Sequence, residues 1–198
     1  MKNILSVSIV LSLLILAGCN SAPEGNSEYL SNTEEFMTAF NNKDVAALDK
    51  FIDKEYGYFV LHNPGAYVAI EHLNSFGDIM SMEGEYGVAN LKFTKINCIN
   101  YREGLEPVYS CDDDRWNKTG CFYGTQKNLS VAGTYDLLVE YDLIDAVIVP
   151  RLRDLAAKSE ANYAYFVYST DETIGFYFGE KNGKYYLIAI DRVIPCDA

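Results

Sequence analysis

A chain of 198 residues with 28 acidic and 16 basic side chains carries a net charge of −12. That balance leaves no room for a broad phosphate-binding surface, so nucleic acid is excluded as a partner. Aromatic residues make up 14% of the chain, which argues against intrinsic disorder.

The chain opens with Lys2 and an apolar run from Ile4 to Leu16, interrupted only by Ser6, Ser8 and Ser12. One basic residue, a short apolar core and small residues before a cleavage point predict a secretory signal peptide over 1–18. The run is too short to span a bilayer, which takes about 20 apolar residues. Its ending, Leu16-Ala17-Gly18-Cys19, resembles the lipobox of bacterial lipoproteins. The resemblance implies a diacylglyceryl thioether on Cys19, cleavage before it and a further palmitate-type acyl chain on the new amine. It implies export and anchoring at the cell envelope. Asn20 rather than Asp after the cysteine points to the outer membrane. Residues 19–29 then read as a lipid-anchored flexible tether, because 20–27 hold no large apolar residue. Residues 30–198 read as a single domain, long enough to fold around its own core.

Ser31 stands three residues before Glu34, a capping-box spacing, and Phe36, Met37 and Phe40 give one apolar face. Asn41-Asn42 breaks this helix, and a second runs from about Asp44 through Val45, Leu48 and Phe51. Together they predict a helical hairpin. Tyr58–Leu61 and Tyr67–Ile70 are strand-like, and Asn63-Pro64-Gly65-Ala66 between them suits a type II turn. That register places His62 opposite Tyr67 and His72 opposite Gly57. The histidines then fall on opposite faces, where they cannot share a metal. Residues 74–87 hold one weak helical turn, and 91–96 alternate like a strand. Residues 97–130 form an irregular, cysteine-containing excursion.

Apolar residues from Leu137 to Leu155 recur at helical steps, and Pro150 divides them into two helices. Three strands follow, at 163–168, 173–178 and 185–190. Asn182-Gly183 joins the last two as a tight hairpin. It pairs Phe178 with Leu187 and Phe176 with Ala189. Both faces of this meander are apolar, so both need covering. Helices cover one. The excursion and a homodimer centred on Tyr177, Tyr186 and Ile188 compete for the other.

Besides Cys19, four cysteines remain: Cys98, Cys111, Cys121 and Cys196. An even number in an exported chain reads as two disulfides, with three connectivities open. Locality favours Cys111–Cys121 with Cys98–Cys196. Zinc fails on spacing, since there is no C-x₂-C. Starting at Asp112, an EF-hand loop fails at positions five and six, which are Trp116 and Asn117.

A helical hairpin, a β-hairpin, further helix and a meander closing in "GEKNGKYYLIAIDRV" is similar to the nuclear transport factor 2-like (SnoaL-like) family. The resemblance implies an α+β cone: a bent antiparallel sheet wrapped around helices, with a pocket between them. Members include isomerases, cyclases, dehydratases and non-catalytic binding modules. No catalytic residue carries across, because no position matches a catalytic motif, and no cofactor or metal is indicated.

Tyr58, Tyr67 and Asp191 are the candidate ligand-binding residues. In the Asn-Gly register Asp191 shares a face with Ile174, Phe176, Phe178 and Ala189, where burial would raise its pKa. Pairing with Arg151 or Arg153 is the structural alternative. The sequence therefore reads as an envelope lipoprotein whose domain binds a small apolar or glycan ligand, or a partner protein. The alternatives are an acid–base enzyme using Asp191 and a structural subunit of an envelope assembly. A polar-lined cavity would favour the first two roles, and a cone filled with side chains only partner binding.

Overall fold

The computed structural model describes residues 24–63, 67–81, 95–98, 100–144, 147–193 and 196. Cys19 and residues 91–94 of the expected strand lie outside them. Helices α1 (Glu24–Asn42) and α2 (Val45–Leu48), with a short 3-10 turn after them, form the helical hairpin. Asp44 caps α2, accepting the Ala47 amide at 3.0 Å. Helix α1 starts seven residues before Ser31, inside the stretch read as tether. The Tyr29 ring stacks on Tyr165 at 4.6 Å, a tertiary contact that local composition does not report.

Strands β1 (Tyr58–His62) and β2 (Ala69–Leu73) and helix α3 (Phe76–Ser81) follow. The excursion holds β3 (Tyr101–Glu103), the small β4–β5 ribbon (Tyr109–Ser110 and Arg115–Trp116) and β6 (Cys121–Gly124). Helices α4 (Val131–Glu140) and α5 (Val149–Glu160) come next, with Pro150 in the first turn of α5. Strands β7 (Tyr163–Ser169), β8 (Ile174–Lys181) and β9 (Lys184–Arg192) complete the chain.

The architecture is α+β. One seven-stranded sheet runs β2-β1-β9-β8-β7-β6-β3. It is mixed rather than wholly antiparallel: β1 lies parallel to β9, and β3 parallel to β6. Asn182 and Gly183 both take positive φ, as a two-residue hairpin turn between twisted strands requires.

Two registers differ from the sequence reading. His62 pairs with Ala69 and His72 with Phe59, two residues off the expected alignment, so Tyr67 and Val68 leave the strand. The histidines still fall on opposite faces. In β9, Ile188 is an extra residue: Phe178 pairs with Leu187, but Tyr177 with Ala189 and Phe176 with Ile190. This bulge reverses the facing of every later residue in the strand.

Helices α1 to α3 cover one face, with Phe36, Phe40, Phe76, Phe176, Phe178 and Leu187 in that core. Helices α4 and α5 cover the other, with Tyr135, Phe166, Tyr177, Tyr186 and Ile188. Tyr177, Tyr186 and Ile188 are thus buried by the chain's own helices and excursion, and they do not form a dimer surface.

The disulfides are Cys98–Cys121 and Cys111–Cys196, not the pairing that locality favoured. The parallel match of Tyr101 with Cys121 carries Cys98 beside Cys121. Cys111 stays exposed on the turn of the β4–β5 ribbon. Non-reducing peptide mapping should recover these two pairs, and recovery of Cys111–Cys121 would refute the connectivity. Replacing Cys111 and Cys196 by Ser opens a closure of 85 residues. Denaturant unfolding should then show a loss of about 2–5 kcal/mol.

Candidate functional site

The space between α1 and the sheet is filled. Phe36 meets Phe176 at 5.1 Å, Phe178 at 5.2 Å and Phe51 at 5.2 Å. Tyr58 belongs to this packing. It has no exposure, its ring stacks on Phe76 at 4.9 Å, and its hydroxyl donates to the Ser75 carbonyl at 3.4 Å. Burial pushes its pKa far above the ordinary phenol value.

Tyr67 stands elsewhere, in the connection between β1 and β2, two residues before β2 begins. With Val68, Thr134, Leu137, Leu138, Tyr141 and Leu143 it lines a surface groove of about 530 Å³. The register shift in β2 builds one wall, since Tyr67 and Val68 are free of the ladder. Helix α4 builds the other. Thr134, Leu137, Leu138 and Tyr141 fall at steps of three and four, on one stripe. Leu138 turns into the core, whereas Leu137 is 54% and Tyr141 67% exposed. Leu143, Val147 and Ile148 continue the exposed apolar surface toward α5. Leu137 and Tyr141 belong to the helical apolar pattern of the sequence, yet both stay at the surface. The stripe on α4 is wider than the sheet beneath can cover.

Asp191 lies on the α4–α5 side of the sheet, opposite to the face that the simple register gives. The bulge at Ile188 moves it there, paired with Gly175 and Leu61. Its carboxylate accepts the Val193 amide at 2.9 Å. Burial, reinforced by the charge of Glu106, raises its pKa to about 7. Arg153 does not neutralise it, being bonded to Asp136 at 2.8 Å.

Glu106, which no sequence motif marks, is the second acid of this region. It is buried in the excursion, accepts the Tyr177 hydroxyl at 2.5 Å and accepts the Asn128 amide. Burial raises its pKa too, against the pull of these hydrogen bonds. The Tyr168 ring lies over Gly175, where an added Cβ would come within 2.7 Å of it. Trp116 packs edge-on to Tyr168 at 5.3 Å. The Glu106 bond to Tyr177 ties the excursion to the sheet, and the Asp191 bond holds Val193, the first residue after β9.

The remaining polar candidates are structural. His72 Nε2 lies 2.8 Å from the Tyr56 carbonyl, and His62 Nε2 lies 4.0 Å from Glu71. Asp113 and Asp114 accept the Ser110 and Tyr109 hydroxyls within the β4–β5 ribbon. Among the described residues no group of three His, Cys, Asp or Glu could hold a metal ion, and no helix is long and apolar enough to cross a membrane. Comparison of the chain with protein-family models, curated proteins and solved structures finds no match.

The buried acids make stability depend on pH. Native Asp191 holds its proton to about pH 7. An unfolded aspartate releases it near 4. Across that window the folded state binds more protons, so the Asp191 contribution to stability falls as pH rises and levels off above 7. The stability of wild type relative to Asp191→Asn should fall by roughly 2–4 kcal/mol between pH 4 and 8. Thermal melts in which the gap between the two proteins stays constant over that range would refute the assignment.

Proposed function

We propose that this chain is a lipid-anchored envelope protein whose domain binds a partner protein through the apolar groove between α4 and the start of β2. The observation that carries the reading is the exposed stripe of Leu137, Tyr141 and Leu143 facing Tyr67 across a groove of about 530 Å³. Contiguous exposed apolar surface of this kind marks interaction sites. The packing of Phe36 against Phe176 and Phe178 supports a role outside the sheet, since it fills the space where a cone-fold ligand would lie. The order of helical hairpin, β-hairpin, helix and meander supports the nuclear transport factor 2-like reading.

The position of the groove supports the anchored reading. The first turns of α1 lie at the Asn182-Gly183 end of the sheet, where Tyr29 meets Tyr185 at 5.7 Å. The end of α5 lies there too, because the Glu180 amide donates to the Asn162 carbonyl at 2.8 Å. Glu160, at the end of α5, accepts the Val131 and Ala132 amides that open α4, so α4 runs away from that end. The groove at Tyr141 is therefore remote from the start of α1, which itself extends about 28 Å. Only four residues separate Cys19 from α1. A lipid on Cys19 thus holds the domain by one end and presents the groove at the other.

Two measurements test this. Wild-type protein should fractionate with envelope membranes, and Cys19→Ser should release it; wild type in the soluble fraction overturns the anchor. An environment-sensitive apolar dye should bind the domain, and Leu137→Asp with Tyr141→Asp should remove that binding. Both side chains are exposed, so each change should alter stability by only about 0.5 kcal/mol. Dye binding unaffected by the double change overturns the groove.

A further inference from the structure

The stretches that build the groove lack cations. Residues 55–91 and 128–150 contain neither Lys nor Arg. Glu140 and Asp142 flank Tyr141 and are exposed. Glu71 stands on β2, at the sheet edge that leads into the other wall, with its side chain 41% exposed. Asp136 is the one acid of α4 that the structure neutralises with a base, through Arg153.

We propose, resting on the groove reading above, that the occupant is an amphipathic helix of a partner protein, with Lys or Arg along the borders of its apolar face. The shape of the groove fits this occupant. The stripe from Thr134 to Tyr141 extends about 10 Å along α4, two turns of helix. That length accepts side chains at positions i, i+3 or i+4, and i+7 of a docked helix, the usual spacing of helix-in-groove anchors. The charge selects its sign. Glu140 and Asp142 lie beside the apolar anchors, where they attract cationic flanks and repel anionic ones. The same acids disfavour anionic lipid headgroups and fatty acids, although both offer apolar chains. Exposed charges of this kind act mainly on encounter rate and partner choice, while the desolvated anchors supply affinity.

The test uses the mature chain exported from Asn20 without the acylated cysteine. Every described residue and both disulfides are retained in it. The probes are two labelled helical peptides with the same leucine face, one bearing Lys on its polar face and the other Glu. Fluorescence anisotropy should show the Leu/Lys peptide binding at least about tenfold more tightly than the Leu/Glu peptide. Glu140→Gln with Asp142→Asn should narrow that preference and flatten its salt dependence, without changing apolar-dye binding.

Leu137→Asp separates docking from surface attraction. It adds negative charge at the groove while removing an anchor. Docking in the groove requires that Leu/Lys binding weaken, and binding that strengthens overturns the proposal. Absence of Leu/Lys binding, or equal binding of the two peptides, also overturns the cationic occupant. The groove reading then stands if Leu137→Asp with Tyr141→Asp still abolishes dye binding. It falls with the proposal if the dye ignores both changes.

Discussion

Strand β8 directs Phe176 and Phe178 to one side of the sheet and Tyr177 to the other, and all three are buried. A strand apolar on both faces is stable only between two layers. The rest of the architecture follows from that requirement. The α1–α2 hairpin and α3 supply one layer, while α4, α5 and the excursion supply the other. The first closes with interlocking phenyl rings. The second rests on helices joined by a segment that keeps Leu143 and Ile148 at the surface, and its edge becomes the groove.

Hydrogen bonds from Glu106 and Tyr186 tie the second layer to the sheet. Glu106 bonds Tyr177 on the sheet and the Asn128 amide in the excursion, and Tyr186 donates to the Ser159 carbonyl at 2.9 Å. Glu160 caps the first turn of α4 and pairs with Lys127. Glu106 and Glu160 are therefore joints between segments distant in sequence. A half-satisfied joint of this type would destabilise the fold more than an apolar replacement of both partners.

Local signals carried much of this structure. The Asn182-Gly183 turn, the division at Pro150 and the apolar character of both faces of the meander were legible because each depends on neighbours within a few residues. What stayed hidden depends on partners far away. The start of α1 is fixed by Tyr29 against Tyr165, a contact across the whole chain. Ile188 as a bulge depends on how β9 meets both β8 and β1, and that one residue decides which face of the sheet Asp191 takes. Tyr67 could be named as a ligand-binding candidate, but its groove needed the position of α4. The excess width of the α4 stripe, interspersed with acids and without bases, was the available signal for that groove.

The disulfide connectivity bears on how the chain matures. After Cys19, the cysteines emerge in the order Cys98, Cys111, Cys121 and Cys196, and the native pairs interleave. An oxidant that joins thiols as they appear links Cys98 to Cys111 first, a pair that the native fold does not contain. Reaching the final arrangement then takes thiol–disulfide exchange, a process of seconds to hours without an isomerase. Strand β1 also lacks its parallel neighbour β9 until nearly the whole chain is present. The yield of natively paired protein under oxidising conditions should therefore be governed by disulfide isomerase capacity rather than by oxidising power.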